Sequence, residues 1–272
     1  MPAVSFPNLE MHVAHACNLV CESCSHYSNQ GHKGVVSLDE AERWMKSWEG
    51  RLAPRNFSLL GGEPAIHPQL PEFVALAARY FPKSPLRLVT NGFFLHRHPA
   101  LPLAMKAHPN ARLALSIHHD DPAYRAKLEP VIELLKGRVR EHGIRVYLVP
   151  SHRNWTRRYK GFGSEMEPYD DAQPRASWEA CPARLCVQLF EGKLWKCGPI
   201  AYLRLQHERH GLSSKWDRYL AYEPLEPDCD METLFAFLSQ QDEACCNMCP
   251  AKPEKFKLPV PLRRVSNQAE PA

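Results

Sequence analysis

Three cysteines fall within eight residues, Cys17-Asn18-Leu19-Val20-Cys21-Glu22-Ser23-Cys24, directly after residues 9–14, an apolar run with strand character. A loop that gathers thiols either forms disulfides or binds metal, and the two outcomes belong to different redox compartments. The first ten residues hold no basic region followed by an apolar stretch, so no export signal is read. Ten cysteines in a chain without such a signal point to metal or redox chemistry in a reducing cytoplasm. Zinc usually takes four ligands in two pairs. Three thiolates in one loop suit a four-iron four-sulfur cluster with three irons held and one left open.

The rest of the composition excludes more than it specifies. The net charge of +4 gives no reason to invoke nucleic acid or a membrane surface, and no apolar run approaches the roughly 20 residues that span a bilayer. Up to about residue 150 the pattern alternates strand and helix. Strands are expected at 9–14, 57–60, 86–90, 113–117 and 144–149. Between them, Ser37-Leu38-Asp39-Glu40 reads as a capping box. Leu70, Phe73, Val74, Ala77 and Phe81 share a helical face, and Asp121-Pro122 starts a helix that Pro130 should kink or split. This order implies an α/β fold with a parallel sheet and crossover helices. Five or six such units would give an open, partial barrel, a (β/α)6 form of the TIM type, with function beyond the C-terminal strand ends.

Past Pro150 the alternation stops. Residues 151–180 are polar, a hairpin is expected around Glu191-Gly192, and the tail from Pro253 reads as extended. Seven of the ten cysteines lie between 181 and 249. The chain therefore divides into a barrel, residues 1–170, and a small cysteine-rich C-terminal domain with tail, residues 171–272.

The C-x3-C-x2-C spacing of Cys17, Cys21 and Cys24 resembles the signature of the radical S-adenosylmethionine (radical SAM) superfamily. Gly61-Gly62-Glu63-Pro64 after the second strand and Thr90-Asn91-Gly92 after the third are similar to further motifs of that family. The resemblance covers roughly the first 150 residues. It implies that Cys17, Cys21 and Cys24 bind a four-iron cluster and that S-adenosylmethionine is the cofactor. Gly61, Gly62, Glu63, Pro64, Asn91 and Ser116 are then the cofactor-binding residues, with Glu63 accepting from the ammonium group. One position departs: family members commonly carry an aromatic residue before the last cysteine, where this chain has Ser23, with His26 and Tyr27 the nearby rings.

Cys181, Gly192 and Cys197, closed by Cys246 and Cys249, resemble the twitch or SPASM auxiliary-cluster domains of the same superfamily. Four thiolates would saturate a second four-iron cluster. Cys186 in place of Cys181, and Cys245 in place of Cys246, remain open alternatives, and Cys229 is a spare thiol in a loop. The domain plan resembles aminocyclitol dehydrogenases of the 2-deoxy-scyllo-inosamine type. That implies a radical SAM oxidoreductase which oxidises a secondary alcohol on a sugar or aminocyclitol. Its partners would be a small polar substrate and a one-electron donor such as flavodoxin or ferredoxin. His118, His152 and Arg153, near the ends of the fourth and fifth strands, are the residues expected to handle the substrate. Within the first strand Glu10, His12 and Ala14 share one face. Alternatives are a redox-neutral sugar epimerase, or a peptide-modifying enzyme whose leader-binding domain 16 preceding residues leave no room for. Another class is a non-catalytic zinc-binding adaptor, which gives Gly61-Gly62-Glu63-Pro64 no role.

Overall fold

The computed structural model describes residues 2–259. The strands are β1 (Val4–Phe6), β2 (Asn8–Ala14), β3 (Leu52–Pro54), β4 (Phe57–Gly61), β5 (Leu86–Thr90), β6 (Arg112–Ser116), β7 (Arg145–Val149), β8 (Cys186–Phe190) and β9 (Lys193–Trp195). The helices are α1 (Leu38–Ser47), α2 (Leu70–Tyr80), α3 (Leu101–Ala107), α4 (Pro122–His142), α5 (Pro174–Ala180), α6 (Gly198–Ala201), α7 (Leu203–His210), α8 (Asp217–Leu220) and α9 (Met231–Ser239).

The main sheet runs β7-β6-β5-β4-β2-β8-β9. All its pairings are parallel except the β8–β9 hairpin. Its turn residues Glu191 and Gly192 both have positive φ, 55° and 76°, as a tight hairpin turn requires. Alternation sorts the strand residues into two faces. Leu9, Met11, Val13, Phe57, Leu59, Leu88, Leu113 and Leu115 pack into the core beneath the helices. Glu10, Leu60, Arg87, Val89, Ala114, Ser116, Tyr147 and Val149 line the concave face.

The sheet agrees with an open partial barrel: β2, β4, β5, β6 and β7 are joined by the four crossover helices α1 to α4, β8 is a sixth parallel strand, and no closed barrel forms among the described residues. After β7 the chain passes through short 3-10 turns at Ser151–Asn154 and Gly163–Glu165, with positive φ at Asp170 and Ala172. Only the short α5 follows before the chain returns to add β8 beside β2 on the opposite flank. One expectation is corrected: α4 is not split at Pro130 but runs unbroken from Pro122 to His142 with that residue inside it. Pro130 cannot donate to the carbonyl of Ala126, but both residues face solvent, so water satisfies that carbonyl. The Ser37–Glu40 capping box and the Asp121 cap are present as expected.

A second apolar cluster joins the two parts of the chain. Trp195, Ile200, Tyr202, Trp216, Tyr219 and Met248 pack with Tyr27 and Tyr159 from the N-terminal part. Residues 254–258 then cross back to the barrel. Lys255 pairs with Thr156, Phe256 N donates to Trp155 O at 3.2 Å, and buried Leu258 packs on Leu19 and Cys21. The expected extended tail falls partly on residues 260–272, which lie outside the described residues. No described helix is long and apolar enough to cross a membrane.

Candidate functional site

A cavity of about 300 Å³ opens on the concave face at the C-terminal ends of the strands. Cys17, Cys21 and Cys24 line it together with Gly61, Gly62, Glu63, Asn91, Ser116 and His118. Of the residues the sequence assigned to the barrel site, only Pro64, His152 and Arg153 stand outside it. Pro64 is the first residue of a 3-10 turn that Glu63 caps, through Ala65 N to Oε1 at 2.9 Å. His152 and Arg153 line a separate surface hollow with Asp120, Arg125 and Lys257.

The glycines explain how the motif forms. A Cβ on Gly61 would lie 2.2 Å from Ala14 O, and one on Gly62 would lie 2.2 Å from Ala16 O. Only glycine lets β4 end flush against the segment entering the cysteine loop, where Gly62 N donates to Ala14 O and Glu63 N to Ala16 O, each at 2.8 Å. Glu63 is wholly buried. Its carboxylate also accepts from Thr90 Oγ1 and from Asn91 N at 2.7 Å. Burial nevertheless pushes its pKa up to about 7, against these bonds. Asn91 Nδ2 donates to Asn18 Oδ1 at 2.7 Å, tying the end of β5 to the cysteine loop.

The thiol set fits an iron–sulfur cluster. Burial raises the pKa of all three, and each is close enough to another to raise it further or be raised by it. Buried thiols of this kind become thiolates when a cationic centre binds them. Leu19 N donates to Cys17 Sγ at 3.4 Å, and His118 Nδ1 lies 3.6 Å from Cys21 Sγ, contacts that tune a cluster's potential. Among the described residues no three His, Cys, Asp or Glu side chains converge as the ligands of one ion do. A four-iron cluster asks no such convergence, because each thiolate meets a different iron.

His118 is half-buried, and loss of solvent with nearby His152 lowers its pKa to about 4, so it is neutral at pH 7. At the position of the family's aromatic residue, Ser23 adopts φ 59° and its Oγ accepts from Arg158 N at 2.6 Å. His26 lines the cavity, whereas Tyr27 turns away and donates to Pro199 O at 3.0 Å. Sequence reasoning did not single out Arg87, Tyr147 or Trp155 as cavity residues, and it brought Ser151 to the open end only within the run 150–154. Arg87 carried a signal: a charge between two leucines in a buried strand. Trp155 carried none, because it sits in an irregular polar stretch.

Among the C-terminal cysteines, the Cys197 thiol is pushed well up by burial and then by the neighbouring Cys249, Cys181 and Cys246. Ser177 Oγ donates to Cys249 O at 3.0 Å and anchors that end. Cys186 instead lies beside Glu10, with Cys181 a weaker neighbour. Cys245 is raised by its neighbour Cys246, by burial and by Cys197, so it stays an alternative to Cys246. Cys229 lies away from both groups, its carbonyl bound by Arg51.

The profile of the Radical SAM superfamily matches residues 11–157. GTP 3′,8-cyclase of Stenotrophomonas maltophilia (strain K279a) is 30% identical over 95 residues, 34% of this chain and 29% of that protein. GTP 3′,8-cyclase of Paenarthrobacter nicotinovorans is 26% identical over 129 residues, 46% of this chain and 36% of its own. The chain thus spans about a third of the length of the curated relatives it matches. Among solved structures, BtrN in complex with AdoMet and 2-DOIA is similar over 88% of both chains at 16% identity and a TM-score of 0.46. Streptococcus suis SuiB bound to S-adenosylmethionine covers 54% of this chain and 34% of its own, at 20% identity and a TM-score of 0.42. The matched stretch, more than half of the chain, holds Cys17, Cys21 and Cys24 and the glycine motif that closes over them, and the chain belongs to the radical SAM superfamily.

Proposed function

We propose that the chain is a radical SAM oxidoreductase that removes two electrons from a secondary alcohol of a small sugar or aminocyclitol. Cys17, Cys21 and Cys24 hold the four-iron cluster, and Cys181, Cys197, Cys246 and Cys249 hold a second one. When bound, the first cluster and S-adenosylmethionine would supply hydrogen-atom abstraction from the carbinol carbon, and the second would supply an acceptor for the remaining electron as the hydroxyl proton leaves to water. What supports this reading is that Cys249, Cys181 and Cys246 all act on the buried Cys197 thiol, two residues from Pro199, whose carbonyl accepts from Tyr27 just past the first cysteine loop.

The chain's own residues bind and orient. Glu63, fixed by three donors, presents its remaining lone pairs to the cofactor's amino group. Ser116 and Ser151, with hydroxyls 2.8 Å apart, offer a paired contact to the cofactor from the opposite wall. Leu258 packs against Leu19 and Cys21, and Trp155 adds to the cavity wall beside them, which limits water at the thiols. A flavodoxin or ferredoxin serves as the one-electron donor.

The test is metal counting on anaerobically reconstituted protein. Wild type should hold about eight irons, and Cys17→Ala/Cys21→Ala/Cys24→Ala about four. Cys197→Ala/Cys249→Ala should also fall to about four. Zinc without sulfide, or four irons that vanish with the first triple variant, would overturn the two-cluster reading.

A further inference from the structure

The cavity has a charged floor. Glu10 on β2 and Arg87 on β5 both line it, and Arg87 Nη2 donates to Glu10 Oε1 at 3.2 Å. The pair sits deep: Arg87 precedes Thr90 by three residues, roughly 10 Å of strand below the level where Glu63 and Asn91 meet.

The pair is braced from behind. Glu10 stands opposite Gln188 in the β2–β8 register, and Gln188 Nε2 donates to Glu10 Oε2 at 2.9 Å. Tyr202 OH donates to Gln188 Oε1 at 3.1 Å, and Arg87 Nε donates to Ser58 Oγ at 3.0 Å. These contacts fix both charged groups while leaving them incompletely satisfied. Arg87 uses two of its five N–H groups on partners among the described residues. Stability alone does not call for the pair, because apolar residues of similar volume generally serve a buried site as well or better.

The charge census of the cavity decides what it accepts. Its lining contains one guanidinium, Arg87, and two carboxylates, Glu10 and Glu63. Glu10 and Arg87 neutralise one another, so the lining is left with one carboxylate in excess and no spare cation for a phosphate. The pair still sets unused lone pairs of Glu10 beside open N–H groups of Arg87, the complement of an ammonium group next to a hydroxyl.

We propose that Glu10 and Arg87 form the substrate-recognition floor, selecting a small amino alcohol and rejecting phosphorylated molecules. The proposal rests on reading the cavity as the substrate site, and it deepens that reading by naming the residues that discriminate.

The experiment uses the full reconstituted chain, loaded with S-adenosylmethionine, without turnover. Glucosamine, glucose and glucosamine 6-phosphate are the probes, followed by calorimetry and saturation-transfer NMR. Wild type should bind glucosamine about tenfold more tightly than glucose, a charge-assisted contact against a neutral one, and show no binding of the phosphate. Glu10→Gln should bring glucosamine to the level of glucose, with S-adenosylmethionine affinity unchanged. Removing one charge of a buried pair endangers folding, so Glu10→Gln/Arg87→Gln is the second variant, and it should lose the same preference. A preference that survives in either variant, tighter binding of the phosphate, or no binding of any probe to wild type overturns the proposal. Recognition is read without oxidation, so a failed dehydrogenase reading and a failed recognition floor give different results.

Discussion

Gly62→Ala tests the packing on which the site depends. The new Cβ would stand 2.2 Å from Ala16 O and 2.7 Å from His15 O, both backbone atoms. An ordinary carbon–oxygen contact is about 3.3 Å, so the end of β4 must withdraw by about 1 Å. That withdrawal breaks or lengthens the bonds from Gly62 N to Ala14 O and from Glu63 N to Ala16 O. Two backbone bonds at about 1 kcal/mol each, with about 1–3 kcal/mol of overpacking, give a loss of about 3–5 kcal/mol. For a chain of this size the Tm should fall by roughly 10 °C. Ala16 adjoins Cys17, so the thiol moves as well and iron incorporation should fall. Differential scanning calorimetry and iron assay of anaerobically prepared protein measure both effects. Gly137→Ala is the control, since its Cβ meets nothing within 4 Å and α4 prefers alanine there. Wild-type Tm and full iron in Gly62→Ala would refute the close-approach argument.

Other outcomes follow from burial and charge. Glu63 is protonated below about pH 7 in the free chain, and an ammonium group requires the carboxylate. S-adenosylmethionine should therefore bind more tightly as pH rises from 6 to 8, up to about tenfold per unit below 7. Glu63→Gln should flatten that profile in equilibrium dialysis. His12 is held well below its usual pKa by burial and then by His26, His15 and His32, and His15 is lowered to about 4 by burial and His32. Both are neutral in the fold, while the unfolded chain takes up protons below about pH 6.5. Their contribution to stability is whole above that pH and shrinks as pH falls toward 4, by up to about 1.4 kcal/mol per unit for each. Urea titrations from pH 7 to pH 5 should show the slope, and His12→Gln should reduce it; equal slopes would contradict the assignment. Pro130→Ala restores a missing bond on the exposed face of α4 and should stabilise the chain by about 1–3 kcal/mol, read as a raised Tm.

The barrel half was legible because its signals are local. Alternation in Leu86-Arg87-Leu88 marks both the strand and its inward charge, and Ser37 with Glu40 marks a helix start without reference to the rest of the chain. The three-cysteine loop and the Gly-Gly turn announce themselves by spacing, and the structure brings them to one cavity. What was not legible depends on chain returning from far away. His152 and Arg153 follow the fifth strand as expected, yet the 3-10 turn at Ser151–Asn154 carries them to the outer hollow while Ser151 and Trp155 face inward. The short β8 gave a hairpin signal, but no local pattern told that it would pair with β2, 178 residues from Glu10 to Gln188. Pro130 misled because propensity was weighed without exposure, and a solvated carbonyl tolerates what a buried one does not.

The place of β8 has a consequence for modularity. A polypeptide ending near residue 170 would lack the strand that covers the flank of β2, leaving the backbone groups of Asn8, Leu9 and Glu10 as an open edge. It would also lose Gln188, which orients Glu10. The cysteine-rich portion is therefore no cassette that recombination can transplant onto another barrel, or delete from this one, with each piece intact. Shuffling experiments that cut between the two halves should return insoluble fragments, while cuts that keep β2 and β8 together should preserve a folding unit.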